Sequence, residues 1–335
     1  MSGTIWFIFH PRPIKYFYRI AIALMKNLSD LRIVFFGTPD FAVSSLAALL
    51  EAGCQVVAVV TAPDKPAGRG QQLQAAPVKT FALQHQIPVL QPPKLKAPEF
   101  IEALQALQAD VHVVVAFRML PEVVWNMPPM GTINVHASLL PQYRGAAPIN
   151  WAIINGEAET GVTTFKLQHE IDTGNMLLQR KVSIMPTDDA GTLHDKLAHE
   201  GALLLVATLE QMADGTLEEI PQTEDEASLN HAPKLFKETM RINWQQPAHQ
   251  VHNFIRGLSP YPAAHSLLEQ KNIRIYEAHI GEPVAGGRSA GDYETDGKTW
   301  LRFATADNWL YVDELQLEGK KRMRVDAFLR GFRLS

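Results

Sequence analysis

The fold class of this chain is indicated by residues 32–61, RIVFFGTPDFAVSSLAALLEAGCQVVAVVT. It opens with a short apolar run, and the turn residues Gly37–Asp40 follow directly. The apolar stretch Phe41–Leu50 has the composition of a helix that ends near Gly53, and Val56–Thr61 is rich in β-branched residues. A strand, a helix and a second strand in this order predict a βαβ unit with parallel strands.

Further segments continue this alternation along the chain. Residues 111–117 and 131–136 each predict another buried strand. Together the segments predict an α/β fold with a Rossmann-like, doubly wound and mostly parallel sheet, whose sites lie at the carboxyl ends of the strands. Beyond Tyr261, short alternating segments separated by turns predict a small C-terminal antiparallel β-barrel of the OB-like type.

Composition shifts divide the chain into four predicted parts. These are an N-terminal extension (1–30), an α/β domain (31–213), a linker with an acidic cluster (214–240) and a C-terminal β-barrel domain (241–335). The extension contains Arg12 and Lys15 inside its apolar stretch, which is unlike a secretory signal or a membrane-spanning helix. We interpret Met25 as the natural start, with a weak membrane-surface anchor or a disordered segment as alternatives.

Overall composition bounds the function classes. The chain has 335 residues, 31 Lys+Arg, 35 Asp+Glu and a net charge of −4, which argues against a uniformly basic nucleic-acid binder. Cys54 is the single cysteine, so an internal disulfide framework is excluded and a reducing cytoplasm is the default location. The scattered histidines have no ligand spacing, and we expect no metal. The Gly37–Asp40 turn lacks spaced glycines, which disfavours a nicotinamide cofactor.

Residues 131–148 hold the first candidates for catalysis. Asn134 and His136 lie two positions apart at the end of a predicted strand, so both side chains project to the same face. An amide donor beside an imidazole can hydrogen-bond an oxygen that gains charge as a carbonyl becomes tetrahedral. The alternative is that His136 is a hydrogen-bonded structural histidine at a strand end.

Asp172 is the third candidate. It lies in the turn Asp172–Gly174, where aspartate is usually structural. If the tertiary fold brought its carboxylate to His136, the pair could move a proton directly or through a bound water. Sequence spacing leaves both interpretations open.

The combination of these motifs resembles the folate-dependent formyltransferase family. The resemblance covers nearly everything from Arg32 to Arg330. Besides Asn134, His136, Asp172 and Gly174, the matching segments are Gly37-Thr-Pro-Asp-Phe41, Asp64-Lys-Pro-Ala-Gly-Arg-Gly70, Ser138-Leu-Leu-Pro141, Tyr143-Arg-Gly-Ala-Ala-Pro148, Glu159-Thr-Gly-Val162 and Gly319-Lys-Lys-Arg-Met323.

The resemblance implies an enzyme that transfers a formyl group from 10-formyltetrahydrofolate to the α-amine of methionine on initiator tRNA, for translation initiation. Asn134 and His136 would stabilise the oxyanion, and Asp172 would set the protonation of His136 and help to move the proton. Folate-binding positions would be Phe117, Met119, Leu120, Ser138, Leu139, Leu140 and Pro141. Positions that bind tRNA would be Lys65, Arg69, Lys320, Lys321 and Arg322.

Two departures from the family pattern stand out. Residues 116–121, AFRMLP, lack the family's glycine and are one residue shorter, and Asn175 replaces an acidic residue of many relatives. The basic end of the chain, where six Lys and Arg stand against Asp326 from residue 319 onward, favours a nucleic-acid partner, although a solvated edge is the plain alternative. We expect a monomer with no membrane partner.

Three rival functions remain open at this point. A sugar-nucleotide formyltransferase would share the catalytic motifs. A small substrate, however, needs neither the loop of residues 64–79, which contains Arg69, nor a basic C-terminal end. A catalytically silent RNA-binding protein is disfavoured by the intact Asn134, His136 and Asp172. A nicotinamide-dependent oxidoreductase is disfavoured by the first turn.

Overall fold

The structure is a computed structural model that describes residues 27–67, 72–222 and 226–332. The predictions for residues 1–24 and for Arg69 lie outside the described residues. No helix of the described part is long and apolar enough to cross a membrane.

A seven-stranded sheet organises the N-terminal half. Its strands are β1 (Arg32–Gly37), β2 (Gln55–Val60), β5 (Val89–Leu90), β6 (Val111–Val115), β7 (Thr132–His136), β9 (Glu159–Lys166) and β10 (Met176–Ser183). They lie in the order β10-β9-β7-β6-β1-β2-β5. The pairs from β5 to β7 are parallel, whereas β7 with β9 and β9 with β10 are antiparallel. The chain leaves β1 towards β2 and later returns to β6 on its other side, so a topological switch point lies between β1 and β6.

Strand β1 shows why the sequence forms a central strand. Ile33 and Phe35 are fully buried in the hydrophobic core on one face of the sheet, and Val34 and Phe36 are fully buried on the other. A strand covered on both faces needs apolar side chains at every position, because successive side chains point to opposite faces. The predicted α/β fold with a doubly wound sheet is confirmed.

Helices and short strands complete this half. They are α1 (Asp40–Glu51), a hairpin of β3 (Lys65–Ala67) and β4 (Gln72–Gln74), α2 (Pro77–Gln84), α3 (Pro98–Ala106), α4 (Glu122–Trp125), β8 (Arg144–Gly145), α5 (Pro148–Ile154) and α6 (Ala190–Ala213). Helix α6 begins with a capping box, in which Asp189 accepts from the backbone of Thr192 and the Thr192 hydroxyl accepts from the backbone of Asp189. It packs against α1 and covers the face of the sheet that contains Ile33.

The C-terminal half is built on an antiparallel sheet, as predicted. Its elements are α7 (Ala248–Leu258), β12 (Ala264–Leu268), β13 (Lys271–Pro283), β14 (Tyr293–Thr295), β15 (Leu301–Ala304), β16 (Asn308–Leu317), β17 (Met323–Arg324) and α8 (Val325–Gly331). The strand order is β12-β13-β16-β15-β14, and β17 adds to β16. Within the described residues β12 and β14 are the two ends of this path and do not pair with each other.

The segment 214–233, here called the interdomain segment, hydrogen-bonds to the N-terminal half through its described residues 214–222 and 226–233. Ile220 forms a β-bridge with Met176, and β11 (His231–Ala232) pairs in parallel with β8. Glu219 accepts from Lys166 and from Asn175, the residue that replaces an acidic one of many relatives. This part of the predicted linker is therefore a structural component of the N-terminal half.

Candidate functional site

A cavity of about 730 Å³ opens at the carboxyl ends of the parallel strands. Its walls come from the turn after β1, the loop after β6, the end of β7, the start of α5 and the loop between β9 and β10. All three predicted catalytic residues, Asn134, His136 and Asp172, line it. The location agrees with the switch-point rule for doubly wound sheets, and the volume is in the range of small-molecule sites.

His136 is held in one orientation by a backbone carbonyl. The residue is 6% exposed, and its Nε2 lies 2.9 Å from the carbonyl oxygen of Tyr143. A carbonyl oxygen can only accept, so Nε2 carries a proton and donates it. The neutral ring therefore presents the lone pair of Nδ1 to the remaining neighbours, and Nδ1 is the atom at which a further proton is gained or lost.

Asp172 faces this nitrogen. Its Oδ2 lies 3.8 Å from Nδ1 of His136 and accepts a hydrogen bond of 3.0 Å from the backbone N–H of Gly145. The distance of 3.8 Å is too long for a hydrogen bond and short enough for strong attraction between a carboxylate and an imidazolium. The fold thus brings together two residues whose contact sequence spacing left open.

Asn134 has a different environment from His136. It is half-buried in the wall of the cavity, and within the described residues its side-chain amide has no hydrogen-bond partner. The period of two along β7 places it on the same face as His136, as predicted. An unengaged amide beside an imidazole is available to donate to a ligand oxygen.

Three non-glycine residues of the cavity region have left-handed backbone conformations. The φ angles are +48° at Ala116, +61° at Tyr143 and +56° at Asp172. Such conformations cost about 1–2 kcal/mol for residues with a Cβ atom, and they cluster at functional sites. Here two of them support the pair directly, since Tyr143 holds the ring of His136 and Asp172 provides the carboxylate.

The predicted folate-binding residues separate into two groups. Phe117, Met119 and Leu120 line the cavity, and Met119 is 67% exposed, which makes it an uncovered apolar surface at the rim. Ile171 provides a second apolar side chain, 60% exposed, in the same cavity wall as Asp172. The neighbouring Arg118 donates to the carbonyls of residues 92 and 93, which anchors the loop.

The turn Ser138–Pro141 is absent from the cavity lining. Ser138 is fully buried and donates to the carbonyl of Gln142, and the backbone N–H of Leu140 donates to the hydroxyl of Thr163. Leu139 packs close to Gly161. These contacts hold the turn that leads from His136 to Tyr143, and the prediction that residues of this turn bind folate stays a prediction.

The predicted tRNA-binding residues lie on separate surfaces. Lys65 is exposed on β3, whereas Arg69 lies outside the described residues. Lys320 and Lys321 are exposed and have no carboxylate partner in the described part of the chain. Arg322 forms an ion pair with Glu314, and its guanidinium lies 4.3 Å from the centre of the Tyr276 ring.

Charge at the C-terminal end is lower than the sequence count suggested. Arg324 pairs with Glu277, and Arg330 pairs with Asp326, each at 2.8 Å. Glu277 and Glu314 lie far back in the sequence, on β13 and β16. A count restricted to the last residues therefore misses carboxylates that neighbouring strands provide.

Three groups at the site are not evident from the sequence. Two are backbone groups, the carbonyl of Tyr143 and the N–H of Gly145, which no side-chain pattern reveals. The third is Gln222, whose amide donates to the carbonyls of Asp172 and Gly174 at 2.8 Å each. A glycine at position 145 is the one hint in the sequence that the backbone is closely packed here. An added Cβ at Gly145 would lie 2.5 Å from the carbonyl oxygen of Ala232.

No group of three or more His, Cys, Asp or Glu side chains suited to hold a metal occurs in the described ranges.

The chain is similar to known formyltransferases in both of its halves. Two family models match, "Formyl transferase" over residues 31–209 and "Formyl transferase, C-terminal domain" over residues 234–333. A methionyl-tRNA formyltransferase of Bacteroides fragilis is 55% identical to this chain over 313 residues, which is 91% of this chain and 96% of that protein.

Two solved structures share the fold at low sequence identity. HypX from Aquifex aeolicus, in complex with tetrahydrofolic acid, has a TM-score of 0.62 and 19% identity over 89% of this chain and 47% of that chain. An N-formyltransferase from Helicobacter canadensis, in complex with folinic acid and dTDP-3-aminofucose, has a TM-score of 0.62 and 20% identity over 88% of this chain and 100% of that chain. At these identities the likeness concerns the fold alone.

Proposed function

The chain belongs to the formyl transferase family, and from this premise we propose that it transfers the formyl group of 10-formyltetrahydrofolate to the α-amino group of methionyl-tRNA. The substrate assignment is supported by the 55% identity to a methionyl-tRNA formyltransferase over nearly its whole length. The observation that carries the chemistry is the convergence of Asn134, His136 and Asp172 on one cavity.

The reaction needs an oxyanion site and a route for one proton. The amine nitrogen attacks the formyl carbon, the bond from that carbon to the folate nitrogen breaks, and the amine proton passes to the folate nitrogen. As the carbonyl becomes tetrahedral, negative charge develops on its oxygen. Asn134 can donate its free amide N–H to that oxygen.

His136 contributes in its protonated form. Because the carbonyl of Tyr143 occupies Nε2, the second proton resides on Nδ1, and Nδ1–H is then a charged donor beside the oxyanion. Asp172, 3.8 Å away, stabilises this imidazolium and assists transfer of the proton between the attacking amine and the leaving nitrogen. Holding amine and formyl carbon in one cavity supplies a further part of the acceleration.

Binding of the two substrates uses different surfaces. The apolar cavity lining of Phe117, Met119 and Leu120 suits the flat rings of a folate. For the tRNA, Lys65, Lys320 and Lys321 are the better phosphate contacts, because within the described ranges they have no carboxylate partner. Arg322, in contrast, is already paired with Glu314. Arg69, which lies outside the described residues, is also proposed to contact the tRNA. The proposed role belongs to cytoplasmic translation initiation.

A direct acceptor competition tests the assignment. The purified protein is incubated with 10-formyltetrahydrofolate and either methionyl-tRNA or an amino-sugar nucleotide, the acceptor class suggested by the fold likeness to the Helicobacter canadensis enzyme. We expect formyl-methionyl-tRNA and no formylated sugar. Transfer to the sugar alone would refute the proposed function.

Substitutions separate chemistry from tRNA binding. His136→Ala and Asp172→Asn are expected to lower kcat by about 100-fold or more, since they remove a charged donor and its partner. The double variant Lys320→Ala/Lys321→Ala is expected to raise KM for the tRNA, with KM for the folate unchanged, and to reduce the salt dependence of tRNA binding. Arg330→Ala, which removes a paired arginine of the same end, is the matched control.

A further inference from the structure

Gln222, a side chain of the interdomain segment, hydrogen-bonds to the backbone of the loop that contains Asp172. Its Nε2 donates to the carbonyl oxygens of Asp172 and Gly174, each at 2.8 Å. Its Oε1 accepts from Nε of Arg144 at 3.0 Å and from Nη2 of Arg144 at 2.8 Å. The amide thus uses both hydrogens and both lone pairs.

The orientation of this amide follows from its partners. Carbonyl oxygens can only accept and a guanidinium can only donate, so the nitrogen of Gln222 must face Asp172 and Gly174 while the oxygen faces Arg144. Neither a carboxylate nor an apolar side chain of equal length can make both sets of bonds. Glutamine is therefore specifically required by these contacts.

Gln222 joins the two loops that create the His136–Asp172 pair. On one side lies the Tyr143–Gly145 loop, whose Tyr143 carbonyl orients His136 and whose Gly145 N–H binds the Asp172 carboxylate. On the other side lies the loop of Asp172 itself, with φ +56° at that residue. A backbone in this conformation persists only when its surroundings hold it, and Gln222 binds the carbonyl of the strained residue directly.

We propose that Gln222 is a positioning residue that keeps the carboxylate of Asp172 in place beside His136. It touches no substrate in this assignment and acts through Asp172. The proposal rests on the proposed formyl transfer and deepens it, because it assigns to the interdomain segment a part in the chemical step as well as in joining the two halves of the chain.

Two substitutions separate this role from a merely structural one. Gln222→Glu retains the contact with Arg144 as an ion pair but turns an oxygen lone pair towards the carbonyls of Asp172 and Gly174. Gln222→Met keeps the length and loses all four bonds. If Gln222 mainly stabilises the fold through Arg144, Gln222→Glu should be nearly silent. If it positions Asp172, both variants should lower kcat.

The expected result is a kcat reduced by about 10- to 100-fold in both variants, because small misplacement of a catalytic group is costly. KM for the folate and for the tRNA should stay within about twofold, since neither substrate contacts Gln222 in this proposal. In an Asp172→Asn background, Gln222→Met should cause less than about a twofold further loss, because residues that act as a unit are non-additive.

Gln142→Met is the matched control. Gln142 also bonds the interdomain segment, through the carbonyl of Ser228 and the N–H of Asn230, but it does not contact Asp172 with its side chain. The kcat of the Gln142→Met variant should stay within about twofold of the parent value. Equal losses in Gln142→Met and Gln222→Met, a silent Gln222→Glu, or full additivity with Asp172→Asn would each overturn the proposal. The parent enzyme, measured in the same assay, reports separately on the proposed function.

Discussion

His112 should make the stability of this fold fall steeply between pH 7 and pH 4. It lies on β6 with 1% of its surface exposed, and its Nδ1 has no hydrogen-bond partner among the described residues. The ring packs against Phe36 with centroids 5.1 Å apart. Burial lowers the pKa of His112 to about 4, against 6.5 for an exposed histidine, and a hydrogen bond with the backbone of Val124 opposes this only in part.

The sign follows from comparing the folded and unfolded chains. Below pH 6.5 the unfolded chain binds a proton at His112, whereas the folded chain remains neutral at this position until the pH approaches 4. Stability is therefore fully present above pH 6.5 and is lost progressively as the pH falls towards 4. Proton linkage with these two pKa values gives a loss of about 2 kcal/mol at pH 5 and about 3 kcal/mol at pH 4.

Urea unfolding at pH 7 and pH 5 measures the effect, with the parent protein compared with His112→Leu. Leucine fills the apolar site and cannot ionise, and the lost hydrogen bond to residue 124 changes stability equally at both pH values. The pKa of His252 is also lowered, mainly by burial, but this contribution is common to both proteins and cancels in the comparison. We expect the decrease in unfolding free energy to be about 2 kcal/mol smaller in the variant. If His112→Leu shows the same pH dependence of unfolding free energy as the parent protein, burial of His112 is not its cause.

Three further predictions concern backbone positions and a helix cap. Ala116→Gly should raise the free energy of unfolding in urea by about 1 kcal/mol, because glycine adopts the φ of +48° without a Cβ clash. A lower free energy of unfolding would contradict this. Gly174→Ala should lower the free energy of unfolding by about 3 kcal/mol or more and abolish formyl transfer, since the added Cβ would lie 1.7 Å from the carbonyl oxygen of Lys166. Normal melting and normal activity would be the contrary result. Asp189→Ala should lower the free energy of unfolding by about 1 kcal/mol, because it removes the cap of α6. Asp195→Ala on the same helix is the control, and its stability should be unchanged.

Local rules accounted for the elements that position the site. The apolar run of β1, followed by a helix and a second strand, predicted a βαβ unit with parallel strands, and the structure pairs β1 with β2 in parallel. The period of two along β7 placed Asn134 and His136 on one face. Both inferences succeeded because they depend only on neighbouring positions of a regular element, whose geometry is the same in every protein.

Contacts between distant segments followed no such rule. The 3.8 Å approach of Asp172 to His136, the binding of its loop by Gln222 and the pairing of Arg322 with Glu314 all join residues from different elements. Loop conformation, strand register and the path of the interdomain segment set these distances, and none of them is encoded by residue spacing. The basic end of the chain is the clearest case. Its positive charge was counted along the sequence, but carboxylates on neighbouring strands, Glu277 and Glu314, pair with Arg324 and Arg322.

Fold class, family and the three catalytic candidates were all predictable from residue order, since periodicity and motif are local properties of the chain. The packing of separate elements was needed to establish that His136 offers Nδ1 to Asp172, because the carbonyl of Tyr143 assigns the proton to Nε2. Packing also established which cations of the described residues have no carboxylate partner. The physical reason is the same in each case: protonation, pairing and strain depend on distances in space, which are set when separate elements pack together.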